Sequence, residues 1–188
     1  MSYDLHLLPR PPGADVLGAA RARLQQDEAE INPGPPVPVK EANKRRLAAA
    51  LMEENPRLSV FEFDYVSIAA QRGVTAEEAR RSHRHLELNG PEDGPGIQIT
   101  LLDDTAAITV PYWHGPRVAA AVFDEIWRYL ALLERHGGFA VYDPQLDRVL
   151  SLAADRPAVI ERYGAVMKQM APTSGPTAMP GRPWWKFW

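Results

Sequence analysis

The sequence predicts an α+β fold, in which an antiparallel β-sheet carries helices on one face. Two features of the stretch 97–142 lead to this prediction. Two short β-like runs, residues 97–102 and 106–110, are joined by the polar pair Asp103-Asp104, which is typical of a β-hairpin. A long amphipathic helical pattern then leads into another strand-like run. The resulting order β-β-α-β-β favours an antiparallel sheet covered by this helix.

The long helix is predicted to run from Pro116 to about His136. Its apolar residues recur every three or four positions and therefore share one face: Val118, Val122, Ile126, Tyr129, Leu130 and Leu133. Proline suits the first turn of a helix, and Gly137-Gly138 supplies a left-handed C-terminal cap. Pro111 has no N–H to give to a ladder and should end the preceding strand.

The rest of the chain is read from the same local signals. Predicted strands are Tyr3–Leu8, Val60–Tyr65, Phe139–Tyr142 and Arg148–Leu152, and predicted helices are Asp15–Gln26, Lys40–Asn55 and Arg156–Met170. Residues 32–38 are rich in proline and predict an extended connector. We expect a single domain over residues 1–170, followed by a flexible tether at 171–183 and an aromatic tail at 184–188.

Composition restricts the functions to consider. The chain has 188 residues, 45% of them hydrophobic, a net charge of −3 and no cysteine. Disulfides and thiol catalysis are thereby excluded, and the charge does not favour a nucleic-acid partner. The N-terminus lacks the pattern of a secretion signal, and no apolar run approaches the ~20 residues of a membrane span. We therefore expect a cytoplasmic protein, and no motif calls for a cofactor.

The segment 65–86 resembles a helix-turn-helix. A short apolar run is followed by Gly73, and Thr75 and Glu78 form a capping-box pattern at the start of a second helix. That helix is expected to present Arg80, Arg81 and Arg84, which gives a DNA-binding alternative. The alternative that we favour is an ordinary helical pair with a solvated arginine face, because Glu77 and Glu78 would face the phosphates.

Two other candidate sites are weighed against plain structural roles. His83, His85 and Glu87 would share one face of a strand and could then hold a metal ion, but the capping pattern places His83 at a helix end, so we expect no metal. His114 with Asp103 or Asp104 could perform acid–base catalysis if these side chains converge in a pocket. Adjacent aspartates in a hairpin are more often turn formers.

The last five residues are Trp184-Trp185-Lys186-Phe187-Trp188. So many exposed aromatic side chains would form a costly apolar patch unless something covers them. The tail could fold back on its own domain, dock on a partner protein, or lie at a membrane surface with Arg182 and Lys186 near anionic headgroups. The long tether favours docking on a partner.

Three sequence blocks carry a resemblance. Met1-Ser2-Tyr3-Asp4-Leu5, Pro111-Tyr112-Trp113-His114 and residues 138–145 (GFAVYDPQ) together resemble a group of uncharacterised bacterial proteins, some of which are similar to immunity proteins of bacterial toxin systems. The resemblance implies a bacterial cytoplasmic origin and brings no catalytic residues.

The leading hypothesis is therefore a non-enzymatic protein-binding protein. Its expected contact surfaces are the aromatic tail and the loops 89–96 and 112–115. The side chains proposed to touch the partner are Tyr112, Trp113, His114, Trp184, Trp185, Phe187 and Trp188.

Overall fold

A computed structural model describes residues 1–10, 13, 15–24 and 36–170. Most of the proline-rich connector, the whole tether and the aromatic tail lie outside these described residues. The fold is α+β, as predicted from the sequence.

The elements of the described chain alternate along the sequence. The strands are β1 (Ser2–Pro9), β2 (Ser59–Val60), β3 (Leu86–Asn89), β4 (Gln98–Leu101), β5 (Ala106–Pro111), β6 (Phe139–Asp143) and β7 (Arg148–Val149). The helices are α1 (Val16–Leu24), α2 (Pro38–Glu54), α3 (Tyr65–Arg72), α4 (Ala76–Ser82), α5 (Pro116–Gly137) and α6 (Arg156–Met170).

All neighbouring strands of the sheet are antiparallel, in the order β2-β3-β4-β5-β1-β6-β7. The predicted hairpin is present as β4 and β5, and Leu102 N–H donates to Thr105 O across its turn. The N-terminal strand β1 lies inside the sheet, where Leu5 faces Ile108 of β5 and Leu7 faces Val141 of β6. The first strand of the chain thus joins the central hairpin to the C-terminal strands.

The main core lies on one face of this sheet. Alternate residues of β1, Tyr3, Leu5 and Leu7, are completely buried there against apolar side chains of α2, α5 and α6. Helix α5 follows the predicted stripe and ends at Gly138, whose φ of +67° is the expected left-handed cap. Val118 is the one member of the predicted stripe that is exposed.

Helix α1 packs on the opposite face. Its Ala20 forms a separate small cluster with Leu8 and Tyr142, two residues that point away from the main core. Helices therefore cover both faces at the β1–β6 end of the sheet, an arrangement that the sequence did not indicate.

The predicted strand Val60–Tyr65 is wrong beyond its first residue. Strand β2 stops at Val60, and Tyr65 is already the first residue of α3. Asp64 accounts for the helical Tyr65, because its carboxylate caps α3 by accepting the N–H groups of Val66 and Ser67, both at 3.1 Å.

Both local signals of the helical pair are confirmed. Gly73 takes a left-handed φ of +68° after α3, and Thr75 and Glu78 form the capping box that opens α4.

In the described part of the chain, no helix combines the length and the apolar character that a bilayer crossing requires.

Candidate interaction surface

The turn between β5 and α5, residues 112–115, is called here the β5–α5 corner. Pro111 ends the strand, Gly115 is the N-cap of α5 and Pro116 occupies its first turn, so the chain changes direction within four residues. The three side chains between these limits lie in different environments. Tyr112 is half-buried, His114 is buried, and Trp113 is 53% exposed.

Helix α6 contacts the β5–α5 corner through Tyr163. The ring of Tyr163 stacks on that of Tyr112, with centroids 5.1 Å apart and planes inclined by 20°. The Tyr163 hydroxyl donates to Pro111 O at 2.5 Å and accepts the N–H of His114 at 3.2 Å. Burial raises the pKa of Tyr163, so this hydroxyl stays protonated and able to donate.

His114 ties the corner to the loop that precedes β4. Its Nε2 lies 2.7 Å from Pro95 O, and because a carbonyl oxygen only accepts, this nitrogen carries the proton. Burial lowers the pKa of His114, which keeps the ring neutral at physiological pH. The loop itself is closed by Gly90 N–H donating to Ile97 O at 3.0 Å.

Trp113 rests on that loop at Gly96. The φ of Gly96 is +70°, and a Cβ atom there would lie 2.7 Å from Cζ2 of Trp113 and 3.1 Å from Cγ of Pro111. Glycine is therefore required both by the backbone and by the close approach of the indole. One side of the indole is supported by the protein while more than half of the residue's surface remains exposed.

A buried polar pair lies beneath the corner. Tyr3 donates to Oδ2 of Asp143 at 2.5 Å, and both residues are fully buried. Oδ1 of Asp143 accepts the N–H groups of Gln145 at 2.8 Å and Leu146 at 3.0 Å. Burial raises the pKa of Asp143, an effect that the hydrogen bond from Tyr3 partly offsets, and burial also raises the pKa of Tyr3.

The three sequence blocks that carry the resemblance meet at this point. Tyr3 comes from the first block, Tyr112 from the second and Asp143 from the third. The Tyr3 ring lies 5.9 Å from that of Tyr112, 5.8 Å from Phe123 and 5.9 Å from Tyr163. The sequence contained these residues but no signal that they touch, because the contact depends on β1 lying beside both β5 and β6.

The catalytic arrangement hypothesised for His114 is not formed. Asp103 and Asp104 occupy the β4–β5 turn, whereas His114 follows the other end of β5, about 20 Å away at strand spacing. Asp104 forms an ion pair with Lys40 at 2.5 Å. His114 and the two aspartates therefore lie at separate places, and they do not form the hypothesised acid–base site.

The arginines hypothesised to bind DNA, Arg80, Arg81 and Arg84, do not share one helix. Helix α4 ends at Ser82, so Arg84 is not on it; its side chain is buried and lies 3.2 Å from Asp103. Arg81 forms an ion pair with Glu77 one turn earlier.

The third arginine, Arg80, lies over the ring of Tyr65 at 5.1 Å from its centroid. The three guanidinium groups therefore do not form one basic surface.

Arg84 lies in a buried group of charges that also contains Lys44 and Asp103. Only 2% of the Lys44 side chain is exposed, and its ammonium group lies 2.5 Å from Arg84 O, 2.9 Å from Asp103 and 2.6 Å from Glu41. The Arg84 backbone and side chain are thus both part of a buried charge network that joins α2 to the β4–β5 turn.

The histidines near β3 take part in ring packing. The ring of His85 lies 4.8 Å from Phe63 and 6.1 Å from His83, while Glu87 accepts from Asn89 at 2.9 Å. Burial lowers the pKa of His85 to about 4. Over residues 1–10, 13, 15–24 and 36–170, no group of three histidine, aspartate or glutamate side chains is placed to hold a metal ion.

A cleft of about 300 Å³ lies between α1 and the β4–β5 turn. Its walls include Leu8 and Ala19 on one side and Asp103 and Asp104 on the other. Both carboxylates already form ion pairs with lysines of α2. The negative charges of Asp103 and Asp104 in this cleft are therefore balanced by the protein itself.

The aromatic tail, with Trp184, Trp185, Phe187 and Trp188, lies outside the described residues, and its prediction is untested. No family model matches the chain, and comparisons with curated proteins and with solved structures find no match.

Proposed function

We propose that this chain is a non-enzymatic protein-binding protein of the bacterial cytoplasm, and that the β5–α5 corner is its contact surface. The observation that carries the proposal is the setting of Trp113. A large aromatic side chain is held more than half exposed, and its support is built from the Pro95–His114 hydrogen bond and the close contact with Gly96.

Such a residue is suited to anchor an interface. Aromatic side chains bury a large area on binding and lose few rotational degrees of freedom, and tryptophan is enriched among the residues that dominate binding energy. Preorganisation adds to this effect, because a side chain already held in place loses less entropy when the partner binds. The resemblance to immunity proteins fits a role of this kind, with another protein as the partner.

The test is capture of a partner by the full chain and two variants. The Trp113→Ala variant removes the proposed anchor, and Val39→Ala removes an apolar side chain of α2 that is 72% exposed. We expect a protein captured by the original chain to be retained by Val39→Ala and lost, or bound at least tenfold more weakly, by Trp113→Ala. Equal capture by all three chains would reject the corner as the contact surface.

The tail is the second proposed contact element, on the basis of its composition. Replacing Trp184, Trp185 and Trp188 by phenylalanine keeps its apolar character but changes the size and hydrogen bonding of the side chains. We expect weaker capture of the same partner. Unchanged capture would restrict the interface to the corner and remove the tail from the proposal.

A further inference from the structure

Helix α1 is attached to the sheet by a small apolar contact. Of its nine residues, Ala20 alone is fully buried, in the cluster with Leu8 and Tyr142, and Leu17 packs against the same cluster. Among the described residues, every side chain of this cluster comes from α1, β1 or β6. Helix α5, by comparison, buries eight of its 22 residues. The apolar contact that keeps α1 in place is therefore much smaller than that of α5.

The local sequence of α1 adds little stability of its own. Isolated helices shorter than ~12–15 residues are marginal in water, and α1 has nine residues. Gly18 lies inside the helix, where glycine is among the least favourable residues. The Asp15 carboxylate accepts the N–H of Gly18 at 2.9 Å and thereby satisfies one donor at the helix start. The helix therefore depends on its contacts with the sheet.

The Arg21 guanidinium group joins α1 to the turn between β6 and β7. Its Nε donates to Oδ1 of Asp147 at 3.0 Å and its Nη2 donates to Oδ2 at 2.5 Å, while the Tyr142 hydroxyl donates to Oδ1 at 2.8 Å. The hydrogen bond from Arg21, followed by that from Tyr142, lowers the pKa of Asp147 to about 2. The two side chains of the ion pair are 52% and 54% exposed, so water screens their attraction.

Detachment of α1 would uncover an apolar patch on the sheet. Leu8 and Ala140 are paired neighbours on β1 and β6, and Tyr142 follows on the same face of β6. All three residues are at most 5% exposed while α1 is in place. Ala19 and Ala22 of α1 also line the cleft beside the β4–β5 turn, so detachment would remove one wall of that cleft.

We propose that α1 is a displaceable cover, which detaches from the sheet as a unit while the sheet and the main core stay folded, and which the Arg21–Asp147 ion pair holds closed. Elements with few buried contacts open locally, at a lower free energy than global unfolding requires. The cover controls access to the apolar patch and to the cleft. It lies at the Leu8 end of β1, whereas Ser2 at the other end pairs with Pro111, next to the β5–α5 corner. The proposal is thus independent of what the corner binds.

Amide hydrogen exchange of the full chain measures this opening residue by residue. The hydrogen-bonded amides of α1 begin at Ala19, whose N–H donates to Asp15 O at 3.0 Å. We expect the amides of residues 20–23 to share one opening constant, at least about a hundredfold larger than that of Ile126 and Leu130 in the middle of α5. Constants graded from the helix ends would assign the exchange to fraying, and constants equal to those of α5 would assign it to global unfolding. Either result would overturn the proposal.

The role of the ion pair is tested by Arg21→Gln, because glutamine is also a good helix former. The matched control is Arg128→Gln in α5, which removes an arginine that is 62% exposed and pairs with Glu54 at 3.6 Å. The Arg128–Glu54 pair stays intact when only α1 detaches. We expect Arg21→Gln to raise the opening constant of α1 about threefold, and Arg128→Gln to leave it unchanged. An equal response to both variants, or no response to Arg21→Gln, would overturn the proposal.

Discussion

Tyr3 donates a hydrogen bond to Asp143 across 140 residues of sequence, and the two side chains are fully buried at the base of the β5–α5 corner. The ladder between β1 and β6 pairs residues 6–9 with 139–142, so this contact fastens the two strands beyond their paired region. The ring of Tyr3 also supports Tyr112. The hydrogen bond therefore connects the centre of the sheet to the surface that carries Trp113.

Replacing Tyr3 by phenylalanine tests the energetic weight of this contact. A buried carboxylate that loses one donor costs about 1–3 kcal/mol, and we expect the free energy of unfolding of Tyr3→Phe to fall by that amount. Urea denaturation measures it. The control is Tyr112→Phe at a half-buried position, for which a loss below about 0.5 kcal/mol is expected. Equal effects of the two variants would show that the Asp143 hydrogen bond contributes little.

The pH dependence of stability should contain a contribution from His85. Its pKa is lowered to about 4, first by burial and then by the charges of His83 and Lys44, whereas the unfolded chain titrates near 6.5. Between these values the unfolded state binds more protons. The stabilising contribution is therefore complete above pH 6.5 and is lost as the pH falls through 4, with a total of at most about 3 kcal/mol.

Denaturation at a series of pH values measures this slope. The variant His85→Gln should reduce the slope between pH 6.5 and 4 without removing it, because burial also lowers the pKa of His6 and His114. His136→Gln, at an exposed position in the last turn of α5, should retain the full slope. A profile that His85→Gln leaves unchanged would contradict the assignment.

Two lysines of α2 should differ sharply in their effect on stability. Lys44 is buried among three partners, so Lys44→Met leaves Asp103 with less compensation and should cost about 3 kcal/mol. Lys40 pairs with an exposed aspartate, Asp104, and Lys40→Met should cost less than about 1 kcal/mol. Chemical denaturation of both variants measures the difference, and similar losses would show that the buried network is not stabilising.

Gly96 offers a way to disturb Trp113 without changing it. Gly96→Ala should cost about 1–2 kcal/mol from the left-handed backbone, and its Cβ should also displace the indole. Gly73→Ala has the same backbone strain, with no atom within 4 Å of the added Cβ. We expect both variants to lose stability but only Gly96→Ala to change the quenching of Trp113 by a soluble quencher. The same response in both variants would contradict the close contact.

Local signals in the sequence predicted most elements of the fold correctly. The Asp103-Asp104 turn, the capping box at Thr75 and the cap at Gly138 are each set by neighbouring residues, and all are present in the structure. The prediction failed at Asp64, which fits both the polar position of an alternating strand and the N-cap of a helix. The alternation that ends in Tyr65 indicated a strand, but the cap formed by Asp64 begins a helix first.

The candidate site could be predicted only in part, because it depends on contacts between distant parts of the chain. Trp113 and His114 were identified from the sequence, but their support from Pro95 and Tyr163 was not. Arg84 was assigned to a DNA-binding helix, although the capping pattern already placed His83 at the end of that helix. In the structure the Arg84 backbone oxygen accepts from Lys44, forty residues earlier in the chain, and its side chain pairs with Asp103.

Photo-crosslinking from position 113 tests the central proposal most directly. A photoreactive amino acid replaces Trp113 in the full chain, and in a control chain it replaces Val39, and both are irradiated in bacterial cells. We predict a discrete crosslinked complex with a second protein from position 113 that position 39 does not give. The absence of any complex specific to position 113 would contradict the proposal that the β5–α5 corner binds a protein partner.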